Sequence, residues 1–338
     1  MSKMIESESD LDKMLSECSR IFVLFYASWC PYSQRFLPIF EKYTKNDEKN
    51  SCRVLTDEIE SCAENYSIKV VPTVIFFKNG KIAKRLDGIA GIGLNEKQFV
   101  EMIDSCKISD GKIKILIDGP YLVSGAIPLA KEKVVADQDG IPIKWERVEE
   151  YPIQETYALC RCGRSKNKPY CDGTHTKIGF DGTEDADLKN YIDQAEEIEG
   201  PNLIMIDAEN FCATARFCHR AGGTWGLTEK SDDPKLKKIA IEEACDCPSG
   251  RLVAWDKNTE KAIEPKFEPS ISLTEAPYRK ISGPLWVKGN IPIESANGTM
   301  YEKRNRVTLC RCGKSQNKPF CDGTHFPTGF KDGDPSIE

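Results

Sequence analysis

Apolar and polar positions alternate in short blocks over the first part of the chain, which predicts a succession of strands and helices. The apolar run at 21–27 predicts a buried strand, and helical spacing follows at about 32–45. We further predict a strand at 53–56, a helix at 59–65, strands at 73–77 and 81–86, and a helix at about 95–106. The order β-α-β-α-β-β-α predicts an α/β domain with a central sheet. Lys78-Asn79-Gly80 is the expected tight turn between the last two strands, because Asn-Gly favours a two-residue hairpin loop.

The pattern then changes to short, strand-sized apolar runs. Runs at 113–117 and 285–287 are rich in branched or aromatic residues and are bounded by Gly and Pro. Runs at 157–159 and 306–309 each lead straight into a cysteine. We therefore expect the rest of the chain to be β-rich, with cysteine loops that leave strands.

One stretch of sixteen residues occurs twice in this second part. Residues 160–175 read CRCGRSKNKPYCDGTH and residues 310–325 read CRCGKSQNKPFCDGTH, with three differences. The likeness extends outside the stretch, and the first copy carries an insertion at about 130–149. A different segment lies between the copies. The sequence thus predicts four parts, at 1–107, 113–197, 198–260 and 266–338.

Cysteine usage indicates what these parts do. Ten of the fifteen cysteines lie in four tight groups, and His175, His219 and His325, all the histidines of the chain, lie inside or beside them. The acidic N-terminus lacks the apolar segment of a signal peptide, and no apolar run is long enough to span a bilayer. We therefore expect a cytoplasmic protein with no membrane partner, in which clustered cysteines bind metal or perform redox chemistry. A net charge of −6 argues against a nucleic-acid partner.

Each copy of the repeat holds a four-ligand set. A Cys-x-Cys pair can place two thiolates on one iron, and a Cys-x3-His pair across an Asp-Gly turn can bring a thiolate and an imidazole to a second iron. Three cysteines and one histidine are also a structural zinc set. The spacing C-x-C-x8-C-x3-H is short for a zinc finger, which argues against zinc. Zinc stays the alternative to iron.

The full pattern C-x-C-x2-S-x3-P-x-C-D-G-T-H resembles the CDGSH iron–sulfur family of the mitoNEET type. Thr174 and Thr324 stand where that family has Ser or Ala. The resemblance implies a [2Fe–2S] cluster with three Cys ligands and one His ligand in each copy, and two units that pack together, here as an intramolecular pseudo-dimer. The implied ligands are Cys160, Cys162, Cys171 and His175 in the first copy, and Cys310, Cys312, Cys321 and His325 in the second.

The N-terminal domain resembles thioredoxin across its full length. The resemblance rests on the segments 25–33, 71–73 and 76–80 and on Gly88. It implies a reactive Cys30 at a helix N-terminus, where a thiolate is stabilised, facing a cis Pro72. Ser33 replaces the resolving cysteine, and Leu24 replaces the buried acid of that family. Cys30 is therefore either a monothiol redox site or part of a thioredoxin fold that serves only as a docking platform.

The segment between the copies has its own cysteines. Cys212 and Cys218 are followed far downstream by Cys247-Pro248, an arrangement that resembles divergent single-cluster ferredoxins. The resemblance implies a [3Fe–4S] cluster on three thiolates, or a [4Fe–4S] cluster with Cys245 or His219 as fourth ligand. The alternative is a linker domain whose cysteines bind no metal. Such a segment adds a small α+β insert to the expected fold.

Two functions fit these parts. In the first, the clusters transfer electrons, with a redox partner protein or a thiol or disulfide substrate at Cys30, so the chain would be an electron-transfer protein or a thiol–disulfide oxidoreductase. In the second, the chain is a cluster carrier or a sensor of iron and redox state, and the thioredoxin domain is a docking module. Reoxidation of reduced clusters by a disulfide would distinguish them.

Overall fold

The computed structural model describes residues 2–18, 20–45, 50–78, 80–106 and 111–337. The chain divides into two compact units, Met1–Ile108 and Ser109–Glu338. Asn79 of the predicted turn, the predicted boundary at residue 107 and the last residue, 338, lie outside the described residues. Within the described ranges, no helix combines the length and the apolar character needed to cross a membrane.

The first unit alternates strands and helices around one sheet. Its elements are β1 (Lys3–Ile5), α1 (Glu8–Glu17), β2 (Arg20–Tyr26), α2 (Pro31–Thr44), β3 (Ser51–Leu55), α3 (Glu60–Asn65), β4 (Thr73–Lys78), β5 (Lys81–Asp87) and α4 (Glu96–Cys106). The five strands are ordered β1-β3-β2-β4-β5, with helices on both faces of the sheet. Strands β1, β2 and β3 are parallel to one another, and β4 and β5 are antiparallel to their neighbours.

Two apolar layers hold this sheet between its helices. On one face α1 buries Leu11, Met14 and Leu15, at helical spacing, among the side chains of the central strands. On the other face Phe36 of α2 and Phe99 of α4 pack edge to face, with ring centroids 5.4 Å apart. Every element predicted from the pattern is present, and β1 and α1 are additional.

The second unit is β-rich. Its strands are β6 (Lys112–Ile115), β7 (Tyr121–Ser124), β8 (Leu129–Ala136), β9 (Pro142–Glu150), β10 (Thr156–Leu159), β11 (Glu196–Glu199), β12 (Leu203–Asp207), β13 (Leu252–Asp256), β14 (Lys261–Ile263), β15 (Ser270–Ala276), β16 (Ile281–Lys288), β17 (Ile293–Glu294) and β18 (Arg306–Leu309). Its helices are α5 (Thr174–Lys177), α6 (Thr224–Thr228) and α7 (Pro234–Cys245). The strands form two four-stranded sheets, ordered β10-β7-β6-β17 and β11-β12-β13-β14, and a five-stranded sheet, ordered β18-β16-β15-β8-β9.

The two copies of the repeat exchange strands. In the first copy β7 pairs with β6 and β10, and in the second copy β16 pairs in the same way with β15 and β18. The fourth strand of each sheet comes from the other copy, since β17 runs parallel to β6 and β8 runs parallel to β15. One apolar core therefore contains residues of both copies, and the pseudo-dimer is closed within one chain.

The insertion in the first copy is the hairpin of β8 and β9. It extends the second copy's sheet, and its Trp145 packs between Phe217 and Trp286, with ring centroids 5.2 and 5.1 Å away. The Trp145 indole also donates to the Asp246 carbonyl, at 3.2 Å. The hairpin therefore links the second copy to the segment between the copies.

That middle segment is the α+β insert, in which α6 and α7 cover the sheet of β11 to β14. Two arginines on and before β18 bind it to the second copy. The Arg306 guanidinium is fully buried and donates to the Cys247 and Leu252 carbonyls, at 2.8 and 3.0 Å. Arg304 donates to the Gly250 carbonyl, at 2.5 Å.

Candidate metal centres and thiol site

Each CDGSH ligand loop begins where a strand ends. In the first copy the Cys160 amide donates to the Pro169 carbonyl, and the Cys171 amide donates to the Ala158 carbonyl, at 2.8 and 2.9 Å. The second copy repeats both bonds, from Cys310 to Pro319 and from Cys321 to Thr308, at 2.8 and 2.9 Å. Lys168-Pro169 and Lys318-Pro319 are cis peptides. The four backbone hydrogen bonds fold each loop back on its strand. As a result, ligands far apart in sequence lie at one end of the strand.

The four predicted ligands of each copy meet as two pairs. The Cys160 and Cys162 sulfurs are 3.8 Å apart, and the Cys171 sulfur lies 3.3 Å from the His175 Nδ1. In the second copy the Cys310–Cys312 pair is separated by 3.7 Å and the Cys321–His325 pair by 3.3 Å. Each of the eight residues that the repeat singled out thus lies next to one other predicted ligand.

An aspartate fixes the turn that carries each histidine. The Asp172 carboxylate accepts from the Thr174 and Lys166 amides, at 2.9 and 2.8 Å. Asp322 accepts from the Thr324 and Gln316 amides in the same way, at 2.9 and 2.7 Å. The amide bond from Lys166 and the bonds from Thr174 hold the pKa of Asp172 well below its usual range. These hydrogen bonds therefore fix the turn that carries each histidine.

The ligand loops of the two copies touch reciprocally. A Cβ on Gly163 would lie 2.7 Å from the Cys312 carbonyl oxygen, and a Cβ on Gly313 would lie 2.8 Å from the Cys162 oxygen. Both glycines have positive φ, at +71° and +77°. Neither glycine was predicted as a site residue, although their identical place in both copies of the repeat is a signal of such a contact.

The two sites differ in how deeply they are buried. His325 is only 6% exposed, whereas His175 is half-buried. The difference comes from the middle segment, where a Cβ on Gly323 would lie 2.5 Å from Thr214 Cγ2 and 3.0 Å from the Cys212 carbonyl oxygen. Burial lowers the pKa of His325 to about 4, with Arg311 and Arg279 adding to the effect. A neutral imidazole is the form that binds a metal.

The donor set fits a two-iron cluster. Two thiolates on one tetrahedral iron at ordinary iron–sulfur bond lengths lie about 3.8 Å apart, a spacing estimated from the similar geometry of thiolate sites. Burial, together with the nearby Cys160 and Cys171 thiols, raises the pKa of Cys162 to about 11, so ionised thiolates at this site require a cation beside them. Over the described ranges, no group of three or more His, Cys, Asp or Glu residues is placed around a single metal ion. Each copy therefore presents its four donors as two pairs.

The middle segment gathers three thiols around one cavity. Cys212, Cys218 and Cys247 line it together. Burial, together with the nearby Cys247 and Cys212 thiols, raises the pKa of Cys218 to about 12. Arg251, paired with Asp207 at 2.5 Å, also interacts with the Cys212 thiol. The three thiols and the adjacent guanidinium suit an anionic iron–sulfur cluster.

The two proposed fourth ligands lie elsewhere. The Cys245 thiol is directed to the Ile263 carbonyl, at 3.8 Å. The His219 ring packs on Trp225, with ring centroids 5.3 Å apart. Neither is among the described residues that line the cavity of the three thiols.

The thiol site of the first unit lies at the start of α2. Cys30 immediately precedes this helix, is buried except for 5% of its surface, and lies with its sulfur 3.6 Å from the Val71 carbonyl oxygen. The Val71-Pro72 peptide is cis. Ser33 is fully buried and accepts from the Ala27 amide at 3.3 Å, and Leu24 is part of the core.

Cys52 and Cys62, two other cysteines of this unit, are poor candidates for a resolving thiol. Burial raises the pKa of Cys52 to about 12 and raises that of Cys62. Both side chains lie in the core under α1. They behave as small apolar residues, whereas the Cys30 sulfur lines a surface groove beside Trp29, which is 72% exposed.

Family models match the parts of the chain in order. A thioredoxin model matches residues 3–104, and a model described as an iron-binding zinc finger of CDGSH type matches 118–176 and 282–326. A model described as a divergent 4Fe-4S mono-cluster matches residues 198–257. The CDGSH matches include both four-ligand sets, and the mono-cluster match includes the three converging thiols.

Individual relatives match the first unit. A thioredoxin of Mycoplasmoides gallisepticum is 36% identical over 25% of this chain and 87% of its own length. A thioredoxin-like protein of Fusarium culmorum is 35% identical over 23% of this chain and 67% of its own. The solved thioredoxin of Fasciola hepatica is 30% identical and covers 31% of this chain and 99% of its own, with a TM-score of 0.28. By its N-terminal domain the chain belongs to the thioredoxin family, and its second unit joins two iron-binding CDGSH units to a divergent mono-cluster segment.

Proposed function

We propose that this iron–sulfur redox protein transfers electrons between its clusters and a thiol or disulfide partner at Cys30. The proposal includes a [2Fe–2S] cluster in each CDGSH copy and a [3Fe–4S] or [4Fe–4S] cluster on Cys212, Cys218 and Cys247. It also includes a cytoplasmic location and a redox partner protein, with neither nucleic acid nor membrane as a partner. When bound, each cluster would accept and release one electron at a time.

The observation that supports electron transfer most is the contact between ligand loops. Cys312 packs on Gly163, Cys162 packs on Gly313, and the Cys212 carbonyl packs on Gly323. Electron transfer weakens steeply with distance, so centres held by touching loops suit it. A protein that only stored or delivered a single cluster would not need three ligand sets whose loops touch one another.

The residues around Cys30 suit a monothiol reaction. The Cys30 thiolate attacks one sulfur of a partner disulfide, forms a new S–S bond and expels the second sulfur as a thiolate. Ser33 cannot attack this mixed disulfide. Release of the partner from this mixed disulfide therefore takes two electrons from outside the first unit. These electrons break the S–S bond and leave both sulfurs as thiolates.

A disulfide should reoxidise the reduced protein. We expect that protein reduced with one electron per cluster from dithionite, with no reductant left over, regains its visible absorbance when a small disulfide is added without oxygen. Cys30→Ser should slow this by tenfold or more, because the attacking thiolate is gone, an effect of about 1.4 kcal/mol or more. The same rate in Cys30→Ser and wild type would contradict electron delivery to Cys30.

Metal analysis tests the cofactor part of the proposal separately. Protein purified without oxygen should contain about four irons in its CDGSH sites, and about three or four more in the middle segment. Acid-labile sulfide should accompany the iron, because the ligands form pairs. Zinc without sulfide would contradict the clusters.

A second function, cluster carrier or iron and redox sensor, draws support from one observation. His175 is half-buried, so the first CDGSH site is open to an acceptor protein. Transfer of [2Fe–2S] from the holoprotein to an apo-ferredoxin, followed by circular dichroism, would support it. If only the disulfide reaction occurs, the carrier function is excluded.

A further inference from the structure

A cationic groove lies where the ligand loops of the two CDGSH copies meet. Its volume is about 250 Å³, and its wall includes Gly163 and Cys312, which belong to the reciprocal loop contact. Its charged members are Arg164, Lys314 and Lys331, and no carboxylate is among the described residues that line it. The groove is therefore a positive surface directly against a predicted cluster ligand.

These three cations are available for a partner. Within the part of the chain that the structure describes, Arg164, Lys314 and Lys331 take part in none of the ion pairs, and all three are exposed. The neighbouring Asp332 is directed inward and pairs with Arg311, at 2.6 Å. The positive surface stands out because the whole chain carries a net charge of −6.

The repeat shows that one of these charges, that of Lys331, is particular to the second copy. Lys331 follows Gly329-Phe330, and the residue that follows the equivalent Gly179-Phe180 is Asp181. Asp181 accepts from the Thr183 amide and hydroxyl, at 3.0 and 2.7 Å. The two copies thus carry opposite charges at equivalent positions, and Lys331 adds a third cation to Arg164 and Lys314 in the groove beside Cys312.

We propose that this groove docks an acidic protein that carries single electrons. The inference rests on the proposed function and names the class of partner that would exchange electrons with this chain. In the encounter the reduced carrier loses one electron and this chain gains it, while no bond forms or breaks and no proton moves. Complementary charge steers such encounters and fixes their orientation.

The groove favours a protein over a small anion. Its cations lie on exposed side chains at the rim, where they attract a broad negative surface. A phosphate ester would need donors that converge inside the groove, whereas the wall beside the rim is formed by Gly163, Gly329 and the buried Cys312. Charge complementarity therefore points to an acidic carrier.

The test uses the full-length holoprotein, purified without oxygen, and a fluorescently labelled oxidised flavodoxin as an acidic one-electron carrier. Lys331→Glu should weaken binding, measured by fluorescence anisotropy at low salt, by on the order of fivefold. The control Lys238→Glu changes the net charge equally but lies on α7, outside the groove, with its side chain 77% exposed. It should leave the affinity within about twofold, because its charge lies outside the groove that contacts the carrier.

Each outcome decides the inference. Selective weakening by Lys331→Glu, with a shallower salt dependence, supports it. The inference is overturned if both variants weaken binding equally or if flavodoxin does not bind the wild type. It is also overturned if flavin mononucleotide binds saturably and flavodoxin does not compete with it. If dithionite reduces the clusters but flavodoxin does not bind, electron transfer survives and this docking site fails. If flavodoxin binds but reduced clusters never react with a disulfide, the proposed function fails instead.

Discussion

Replacing Gly323 with alanine is expected to release iron from the second CDGSH site about tenfold faster, equivalent to about 1.4 kcal/mol in the barrier. In wild type, a chelator at neutral pH should remove CDGSH iron in two phases. The half-buried His175 site empties first, and the site of His325, which is 6% exposed, empties slowly. A Cβ at residue 323 would meet Thr214 Cγ2 at 2.5 Å, so the loop that covers His325 must move away.

That covering loop is held by few contacts. Arg279 donates to the Thr214 carbonyl at 3.0 Å, and its guanidinium carbon lies 3.5 Å from the centre of the Phe326 ring. Asn317 donates to the Asn210 carbonyl at 2.9 Å. A displacement at Thr214 would open the histidine side of the site while the Cys310–Cys312 pair stays in place.

The first copy supplies a matched control in Gly173→Ala. Gly173 and Gly323 have φ of +81° and +86°, so alanine strains the backbone similarly at both, by about 1 kcal/mol. A Cβ on Gly173 meets no atom within 4 Å. The slow phase should be unchanged in Gly173→Ala, and its fast phase should accelerate less than the slow phase does in Gly323→Ala. Equal acceleration of the two sites would show that strain, and not loss of the cover, releases iron.

The contact of Thr214 with Gly323 could not be predicted from the sequence, whereas the ligand pairs could. The spacing within CRCGRSKNKPYCDGTH is local, so it predicted which residues meet, and the structure places them as two pairs in each copy. Thr214 lies more than a hundred residues from Gly323 in the sequence. No periodicity or motif connects them, and only the packing of the middle segment on the second copy does.

The exchange of strands between the two copies was not predicted either, for a different reason. The exchanged strands, β8 and β17, are equivalent by their pairing, but one has eight residues and the other two. The insertion in the first copy lengthens β8 into a hairpin with β9, which hides the equivalence. By contrast, α1 was detectable, because Leu11, Met14 and Leu15 have helical spacing and Ser7 accepts from the Asp10 amide as an N-cap.

Removing the Arg311 guanidinium should destabilise the second unit strongly. This group pairs with Glu275 at 2.7 Å and with Asp332 at 2.6 Å, and all three side chains are buried. Arg311→Met leaves two buried carboxylates without their cation, which costs about 3–5 kcal/mol. For a unit of this size we expect the unfolding midpoint, followed by circular dichroism, to fall by about 10 °C.

The repeat again provides the control, because Arg161 occupies the equivalent position and its described hydrogen bonds go to carbonyl groups. It donates to the Leu116, Gly119 and Gly182 carbonyls. Arg161→Met therefore leaves carbonyl acceptors unsatisfied and should cost only about 1–3 kcal/mol. A midpoint that falls equally in both variants would show that the buried ion pairs do not distinguish the copies.

The pH dependence of the stability lost in Arg311→Met and in Arg161→Met separates the effect of charge from that of packing. Burial raises the pKa of Glu275 to about 7, with Asp332 adding to the shift and Arg311 opposing it. A carboxyl whose pKa is higher in the folded state than in the unfolded state binds more protons when folded, so its contribution to stability is lost as pH rises toward the folded pKa. Without Arg311 the pKa of Glu275 rises further and the loss extends above pH 7. Arg311→Met should therefore lower the unfolding midpoint more at pH 8 than at pH 6, while Arg161→Met, whose carbonyl partners do not titrate, should lower it equally at both.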